Sequence, residues 1–209
     1  MQNYSIFILT HGNSPFAQQA KNCLPGFDII IFDGTGYSGY SKIINSCIMQ
    51  AKKEIIIIIN HKIRATPLHI FKMVNLLCQG YALVCLQNFH FWGFKKDLIR
   101  KIGFWDERFI GAQFEDSDFI RRLIENNIGW YDSTETFVIQ QKNSWIDNSK
   151  AIEHFYKKWK DGKLERLLPE ENYKYDIGKY KGTKFLDLTH TILSKSNQDY
   201  FNSMNFKFK

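Results

Sequence analysis

Five consecutive isoleucines at positions 55–59 constrain the fold more than any other feature of the chain. A strand built from them is apolar on both faces, and such strands occur mainly in parallel sheets that helices cover. Two other apolar segments, "YSIFIL" at 4–9 and "IIIF" at 29–32, come earlier, and segments with helical spacing separate the three. This alternation predicts an α/β fold with a mainly parallel central sheet flanked by helices.

The second half of the chain continues the alternation with less regular signals. We predict a helix in "LHIFKMVNLLCQ" ended by Gly80, a strand in "YALVCL", a loop in "QNFHFWGF" and a helix in "KKDLIRKI" ended by Gly103. Another helix follows residue 114 and is ended by Gly129, with strand material at 129–141. The core stripe of that helix consists of Phe119, Ile120, Leu123 and Ile124.

Length and composition bound the organisation of the chain. Its 209 residues suit one structural domain, in which we place a core at 1–145 and a basic, aromatic extension at 146–209 packed on that core. The four cysteines show no CxxC pair and no metal-ligand spacing with histidine, which is typical of reduced thiols in a cytoplasmic protein. The longest apolar run is far shorter than the ~20 residues of a membrane span. A net charge of +7 favours an anionic partner, namely a nucleotide diphosphate, a nucleic acid or the inner face of a membrane.

Polar residues follow the first three predicted strands. They are Thr10, His11 and Gly12 after the first, Asp33 after the second, and Asn60, His61 and Lys62 after the third. Because ligands bind beyond the carboxyl ends of parallel strands, we expect these residues to line one crevice that takes a nucleotide. Asp33 is the best candidate to accept a hydrogen bond from a base or ribose, and a turn aspartate that caps its own loop is the alternative.

An acidic segment lies directly before the later helical stripe. Three carboxylates, Glu115, Asp116 and Asp118, occupy four positions there. One of them is enough to accept from the unpaired N–H groups of a helix start. A solvated helix start is therefore one interpretation, and a group that holds a cation, binds a hydroxyl or takes a proton is the other.

The order of these segments resembles the GT-A glycosyltransferases of the family-2 type. "DGTGYSGYSKIINSCIMQAKKEIIIIINHK" is similar to the first half of that pattern, with Asn45 at the family's asparagine, and "KIGFWDERFIGAQFEDSDFIRRLIENNIGW" is similar to the second half. The resemblance covers roughly residues 4–140. It implies a GT-A fold and inverting transfer of a sugar from a nucleoside-diphosphate donor, with a UDP-sugar favoured, to a hydroxyl of a surface or cell-wall glycan or glycolipid.

The resemblance also implies roles for single residues. Asp116 lies at the position of the family's catalytic base, with Glu115 beside it to raise its pKa by charge repulsion. Asp118 then orients the acceptor or caps the helix. Asn45 joins the strand-end residues as a candidate for donor binding.

Three further positions are candidates for acceptor binding. Trp92 could stack on a sugar face and Gly93 would allow close approach, with a packed core tryptophan as the alternative. Trp159 lies in the basic segment "FYKKWK", which would close over the pyrophosphate or touch a membrane surface. A solvated helix with one aromatic face is the alternative there.

The chain departs from the family pattern where a metal ion binds. Relatives present an Asp-x-Asp type of motif that holds Mn²⁺ or Mg²⁺ against the donor pyrophosphate, and this chain has Asn60, His61 and Lys62 instead. A family histidine is also replaced, by Gln140 or Gln141. Either Lys62 supplies the positive charge directly, or the chain is a catalytically silent module that binds a nucleotide sugar or glycan. A nucleic-acid-binding domain is the least favoured interpretation, because no docking motif accompanies the charge.

Overall fold

The computed structural model describes residues 3–110, 114–133 and 149–159. Its helices and strands, in chain order, are β1 (Tyr4–Thr10), α1 (Pro15–Asn22), β2 (Ile29–Asp33), α2 (Tyr40–Gln50), β3 (Ile55–Asn60), α3 (Pro67–Cys78), β4 (Leu83–Gln87), β5 (Phe91–Lys95), α4 (Asp97–Ile102), α5 (Glu115–Glu125), β6 (Trp130–Asp132) and α6 (Ser149–Trp159). None of these helices has the length and hydropathy needed to cross a membrane. The strand predicted after residue 129 is confirmed at its start by β6, whereas Gln140 and Gln141 lie outside the described residues.

The strands of the described residues form one mixed sheet in the order β2-β1-β3-β5-β4-β6. β1 pairs in parallel with both β2 and β3, and β4 pairs in parallel with β6. β5 runs antiparallel between β3 and β4. The predicted α/β class is therefore confirmed, and the mainly parallel sheet contains one reversed strand that the sequence analysis did not anticipate.

Residues 91–95 form that reversed strand, where the sequence predicted a loop up to Phe94 and a helix from Lys95. The short connection from β4 contains Asn88 at φ 46°, a left-handed conformation that asparagine tolerates better than most residues. Trp92 is fully buried in β5 and its ring stacks on that of Phe94, with centroids 5.2 Å apart. The packed-core alternative for Trp92 is therefore correct, and the ring has no exposed face to offer an acceptor sugar.

The main core lies on one face of the sheet, between the strands and two helices. It combines isoleucines of β1 and β3 with the inward residues of α1 and α3; these include Ile6, Ile8, Ile57, Ile59, Ala17, Ala20, Ile70, Met73 and Leu77. On the opposite face Phe7, Ile56 and Ile58 are also fully buried. The inference from the isoleucine run, a strand buried on both faces, is thus confirmed, and full burial of each such side chain contributes about 1.5–3 kcal/mol.

The chain divides into two compact units, and neither is a continuous segment. The first unit draws on residues 1–36, 50–100 and 129–143 and contains the whole sheet with α1 and α3. The second draws on residues 37–49, 101–128 and 144–209 and contains α5 and α6. The predicted boundary at residue 145 stays a prediction, because residues 134–148 and 160–209 lie outside the described part of the chain.

The end of α5 differs from the sequence prediction. The helix ends at Glu125, and Asn127, at φ 53°, takes the left-handed position that we had assigned to a glycine. The N–H of Ile128 donates to the Leu123 carbonyl at 2.9 Å, and the N–H of Asn127 donates to the Ile124 carbonyl at 3.0 Å. This pair of bonds is a Schellman motif, in which asparagine substitutes for glycine. Gly129 therefore does not end the helix.

Gly93 lies in β5 beneath a side chain of α3. A Cβ atom at this position would lie 2.5 Å from Met73 Sδ and 3.1 Å from the carbonyl oxygen of Ile56. Met73 is fully buried. The space above Gly93 is thus occupied by the core, which corrects its assignment as a point of close approach for an acceptor.

Gly93→Ala is expected to lower the free energy of unfolding by about 1–3 kcal/mol, the usual cost of overpacking a core. The added methyl group would push on Met73, which has no solvent to move into, and on fixed backbone. Urea denaturation measures the loss. Gly129→Ala is the matched control, because a Cβ there meets none of the described atoms within 4 Å. Equal stability of Gly93→Ala and the wild type would show that the packing here is loose and the prediction wrong.

Candidate functional site

Three parallel strands of the first unit end at the same edge of the sheet. The register pairs Thr10 with Asp33 and Leu9 with Asn60, so the ends of β1, β2 and β3 lie side by side. We call residues 10–12, 33–35 and 60–62 the polar edge. The strand ends are therefore adjacent, as predicted, whereas a nucleotide-binding crevice at this edge stays a prediction.

Asp33 ties two loops of the polar edge together. Its Oδ1 accepts from the Gly12 N–H at 2.9 Å, the Thr35 N–H at 2.9 Å and the Thr35 hydroxyl at 2.7 Å. The Gly12 N–H also donates to the Thr35 hydroxyl oxygen at 2.8 Å, and Gly12 itself has φ 72°, which favours glycine. Oδ1 of Asp33 therefore caps its own loop, which is the alternative role that the sequence analysis gave.

The second oxygen of Asp33 is the one with binding capacity. Hydrogen bonds from the Thr35 hydroxyl, and then from the Thr35 and Gly12 N–H groups, lower the pKa of this exposed carboxyl below its usual value, and His11 adds a smaller electrostatic effect. Asp33 is thus ionised near neutral pH and can only accept hydrogen bonds. Its Oδ2 accepts from none of the described residues, so it can accept from a ligand hydroxyl or N–H.

Thr10 and His11 differ in their availability. The Thr10 hydroxyl is nearly buried and donates to the Gly12 carbonyl at 3.2 Å, while the Thr10 carbonyl accepts from the Gly34 N–H at 2.8 Å. These bonds shape the turn after β1. His11 is exposed beside Asp33, where it can contact a ligand.

The segment after β3 is held by the backbone of β1. The N–H and the Nδ1 of His61 both contact the Leu9 carbonyl, at 3.0 Å and 3.1 Å. Because a carbonyl oxygen only accepts, Nδ1 carries the hydrogen and Nε2 keeps its lone pair. Burial, together with the charges of Lys62 and Arg64, lowers the pKa of His61 against the opposing effect of the Leu9 hydrogen bond, so the imidazole is neutral at pH 7.

Lys62 is the cation of the polar edge. Its backbone N–H donates to Asn60 Oδ1 at 3.0 Å, which fixes the turn after β3. Across residues 3–110, 114–133 and 149–159, its ammonium group makes no hydrogen bond and no ion pair. Half-buried Lys62 therefore brings to the strand ends a positive charge that no carboxylate of the described residues pairs with.

A divalent metal ion fits these residues poorly. Mg²⁺ and Mn²⁺ prefer several oxygen ligands, and the segment after β3 has no carboxylate. Its single amide oxygen, on Asn60, already accepts from Lys62. No group of three or more His, Cys, Asp or Glu side chains with metal-binding geometry occurs among the described residues.

The acidic turn of α5 belongs to the second unit, and its three carboxylates differ in environment. Asp116 is half-buried and its Oδ1 accepts from the neighbouring Ser117 N–H at 2.7 Å, whereas Glu115 is buried. Phe114, just before the helix, has φ 67°. A bulky residue in this conformation costs about 1–2 kcal/mol, and such strain is often stored at functional sites. The role of Asp116 as a catalytic base stays a prediction.

Asp118 has a structural role that the sequence analysis missed. It is fully buried, and its Oδ1 accepts from the Trp159 indole N–H at 2.9 Å and lies 2.7 Å from Lys158 Nζ in an ion pair. Its Oδ2 lies 3.0 Å from a guanidinium nitrogen of Arg122. The proposal that Asp118 orients the acceptor is therefore corrected, because its side chain is fully buried and both oxygens face cationic groups of the protein.

Trp159 and Asn45 also turn out to be interior residues. Trp159 is buried, with its N–H bonded to Asp118, so it is not placed to stack on an acceptor. The Asn45 amide donates to the Trp105 carbonyl and to Glu107 Oε1, each at 2.9 Å, and accepts from the Trp105 N–H at 3.1 Å. Its assignment to donor binding is therefore corrected, since Asn45 is fully buried and links α2 to the segment before α5.

Asp106 is the most densely bonded charged group that the sequence analysis missed. Arg108 binds it through two nitrogens, at 2.8 Å and 2.6 Å, and its Oδ2 also lies 2.9 Å from Lys158 Nζ and 3.3 Å from His154 Nε2. Burial alone would raise the pKa of Asp106, but the hydrogen bonds from His154 and Arg108 and the Lys158 charge lower it far below the usual range. The Asp-x-Arg spacing at 106–108 was a usable signal, whereas nothing local pointed to Lys158.

Comparison with known proteins does not assign this chain to a family. No protein-family model matches the chain, and no curated protein matches it either. A functional assignment therefore depends on the polar edge, on the acidic turn of α5 and on the motif resemblance of the sequence.

Proposed function

We propose that the protein is an inverting glycosyltransferase of the GT-A type, which moves a sugar from a nucleoside-diphosphate donor to a glycan hydroxyl. The observation that supports this most is the polar edge, where Asp33 is fixed by three hydrogen bonds and Lys62 brings a cation. A nucleoside diphosphate offers hydroxyl or N–H donors to Asp33 and a diphosphate to Lys62. The mixed α/β sheet is compatible with the GT-A fold.

The motif resemblance alone brings a base from the second unit and a stabiliser of negative charge from the first unit into one reaction. Asp116 takes the proton of the acceptor hydroxyl as its oxygen forms a bond to the anomeric carbon. The bond between that carbon and the diphosphate oxygen breaks, and its electron pair leaves with the diphosphate. Lys62 stabilises the charge that builds on the leaving group. Attack opposite the departing diphosphate inverts the anomeric configuration.

A binding module without activity is the second candidate. The observation that favours it is the carboxylate-free segment of Asn60, His61 and Lys62, which leaves the family's metal-dependent chemistry without its ligands. Such a module would bind a nucleotide sugar at the polar edge and release it unchanged. Binding without turnover distinguishes it from the enzyme.

A thermal-shift screen of nucleoside-diphosphate sugars, with and without Mn²⁺, tests the proposal. A ligand that binds only the folded state raises the melting temperature, and the increase grows with the ratio of ligand concentration to Kd. We expect UDP-sugars to raise it and the binding sugar to be transferred or hydrolysed on longer incubation. If none of the nucleotide sugars shifts the transition, both the enzyme and the binding module are wrong.

Asp33→Asn is expected to weaken donor binding by about 10-fold, because one charged acceptor is lost. The amide oxygen can still accept from Gly12 and Thr35, so the loop keeps its shape. A contact made equally in ground and transition states changes affinity but not turnover. Calorimetry with UDP and steady-state kinetics measure the two effects.

Asp28→Asn is the matched control for this experiment. Asp28 is exposed just before the opposite end of β2, so the same change of charge occurs away from the polar edge. Its UDP affinity should equal that of the wild type. Unchanged affinity in Asp33→Asn as well would limit Asp33 to its loop-capping role.

A further inference from the structure

One lysine of α6 connects two buried carboxylates of the second unit. Lys158 Nζ lies 2.9 Å from Asp106 Oδ2 and 2.7 Å from Asp118 Oδ1. Both carboxylates are shielded from solvent, and the lysine side chain is only 5% exposed. In such surroundings an ion pair is poorly screened, so its geometry is held tightly.

The next residue makes a second attachment to the same carboxylate. The Trp159 N–H donates to Asp118 Oδ1 at 2.9 Å. The guanidinium of Arg121, on α5, lies 4.3 Å from the centre of the Trp159 ring, which is the geometry of a cation–π contact. The ring also packs in an apolar cluster with Phe109 and Phe155. Lys158 and Trp159 thus attach α6 to α5 by charge, hydrogen bond and apolar contact together.

These contacts converge on the first turn of α5. Asp118 lies two residues after Asp116 on the same turn, and its N–H donates to the Phe114 carbonyl at 2.8 Å. Arg122, which pairs with Asp118, also donates to the carbonyls of Ile102 and Phe104 at 2.8 Å and 2.7 Å. Whatever holds Asp118 therefore also fixes the backbone from which Asp116 projects.

We propose that α6 is a positioning clasp for the acidic turn of α5, with Lys158 and Trp159 as its positioning residues. Asp118 is the group that the clasp holds. Without Lys158, Asp106 and Asp118 would lose the cation that they share. Repulsion among the carboxylates of the acidic turn would then favour local opening of this turn. The effect of the clasp on catalysis rests on the proposed function, whereas its effect on the structure of α5 does not.

Hydrogen–deuterium exchange of residues 114–120 tests the clasp in the full-length protein. Lys158→Met keeps most of the side-chain volume and removes the charge. It should speed exchange in this segment by about 10-fold, because local opening becomes less costly. Lys150→Met is the matched control on an exposed position of α6 and should exchange like the wild type. Wild-type protection in Lys158→Met would overturn the clasp.

Steady-state kinetics separate positioning from mere stability. For the donor selected by thermal shift, Lys158→Met should lower kcat by about 10- to 100-fold, the cost of a misplaced catalytic group, with the donor KM unchanged. A parallel loss of UDP affinity at the polar edge, or an unchanged kcat, would overturn the positioning role. If the wild type transfers no sugar, the proposed function fails, and the exchange experiment still decides whether the clasp exists.

Trp159→Phe covers the case in which Lys158→Met does not fold. Phenylalanine keeps an aromatic ring for Arg121 and the apolar cluster but lacks the N–H that Asp118 accepts. Faster exchange of residues 114–120 than in the wild type is expected, at unchanged overall fold by circular dichroism. Identical exchange in this variant and the wild type would overturn the role of Trp159.

Discussion

Replacing Asp116 with asparagine is expected to lower turnover by about 10²- to 10⁴-fold, the range of a lost general base, while donor binding stays unchanged. The amide has nearly the shape of the carboxylate but cannot take the proton of an acceptor hydroxyl. It can still accept from the Ser117 N–H through its oxygen, so the turn is preserved. Steady-state transfer rates and UDP calorimetry measure the two quantities.

Glu153→Gln is the control for this change. Glu153 is an exposed carboxylate of α6 in the same unit, and its neutralisation should leave the rate within twofold of the wild type, as exposed side chains away from special features usually do. If Asp116→Asn retains more than a tenth of the wild-type rate, Asp116 is not the base. Glu115 would then be the next candidate, because the third acidic residue of the turn, Asp118, pairs with Lys158.

The strands that were predicted correctly are those whose burial follows from their own composition. The run 55–59 is short, β-branched and apolar at every position, which favours an interior strand, and β3 has that place. β5 could not be recognised in this way, because Gly93 interrupts an otherwise apolar segment and glycine is a breaker signal. Glycine is needed at this position of β5 because Met73 of α3 packs directly over it and leaves no space for a side chain.

The same distinction explains which parts of the candidate site could be predicted. The polar edge follows from topology, since strands that run in parallel must bring Thr10, Asp33 and Asn60 to one edge. The status of Asp118 does not follow from its neighbours, because its partner Trp159 is 41 residues away. A catalytic carboxylate and one that is neutralised inside the protein look identical in sequence. What distinguishes Asp118 is its ion pair with Lys158, a cation far away in the sequence.

Asn45 shows that helical spacing can place a residue correctly while its role depends on partners distant in sequence. The asparagine lies at the middle of α2, in the helix that the apolar spacing of this segment predicted. Its amide hydrogen bonds to Trp105 and Glu107 engage both its donor nitrogen and its acceptor oxygen within the second unit. A buried amide needs such partners, and an asparagine that meets them inside the protein has little capacity left for a ligand. Its value to the protein is the anchoring of the segment that precedes α5.

Lys62→Met is expected to lower turnover by about 10²- to 10³-fold, the usual cost of removing one group that stabilises developing charge. Methionine keeps the length of the side chain and loses the ammonium. Negative charge builds on the diphosphate as the sugar departs, and Lys62 is the cation at the polar edge without an ion-pair partner among the described residues. We therefore expect this substitution to harm turnover more than chelation by EDTA does.

Lys52→Met, at an exposed position before the opposite end of β3, is the control and should retain the wild-type rate.

The competing account is that carboxylate and donor phosphate oxygens hold a divalent cation between them, while Lys62 points to solvent. In that case activity would vanish in EDTA, return with Mn²⁺ and survive Lys62→Met, and our assignment of the positive charge would be wrong. Activity that persists in EDTA but is lost in Lys62→Met would support our assignment. The ammonium group of Lys62 would repel a metal ion at ligand distance, and the same charge would neutralise the leaving diphosphate.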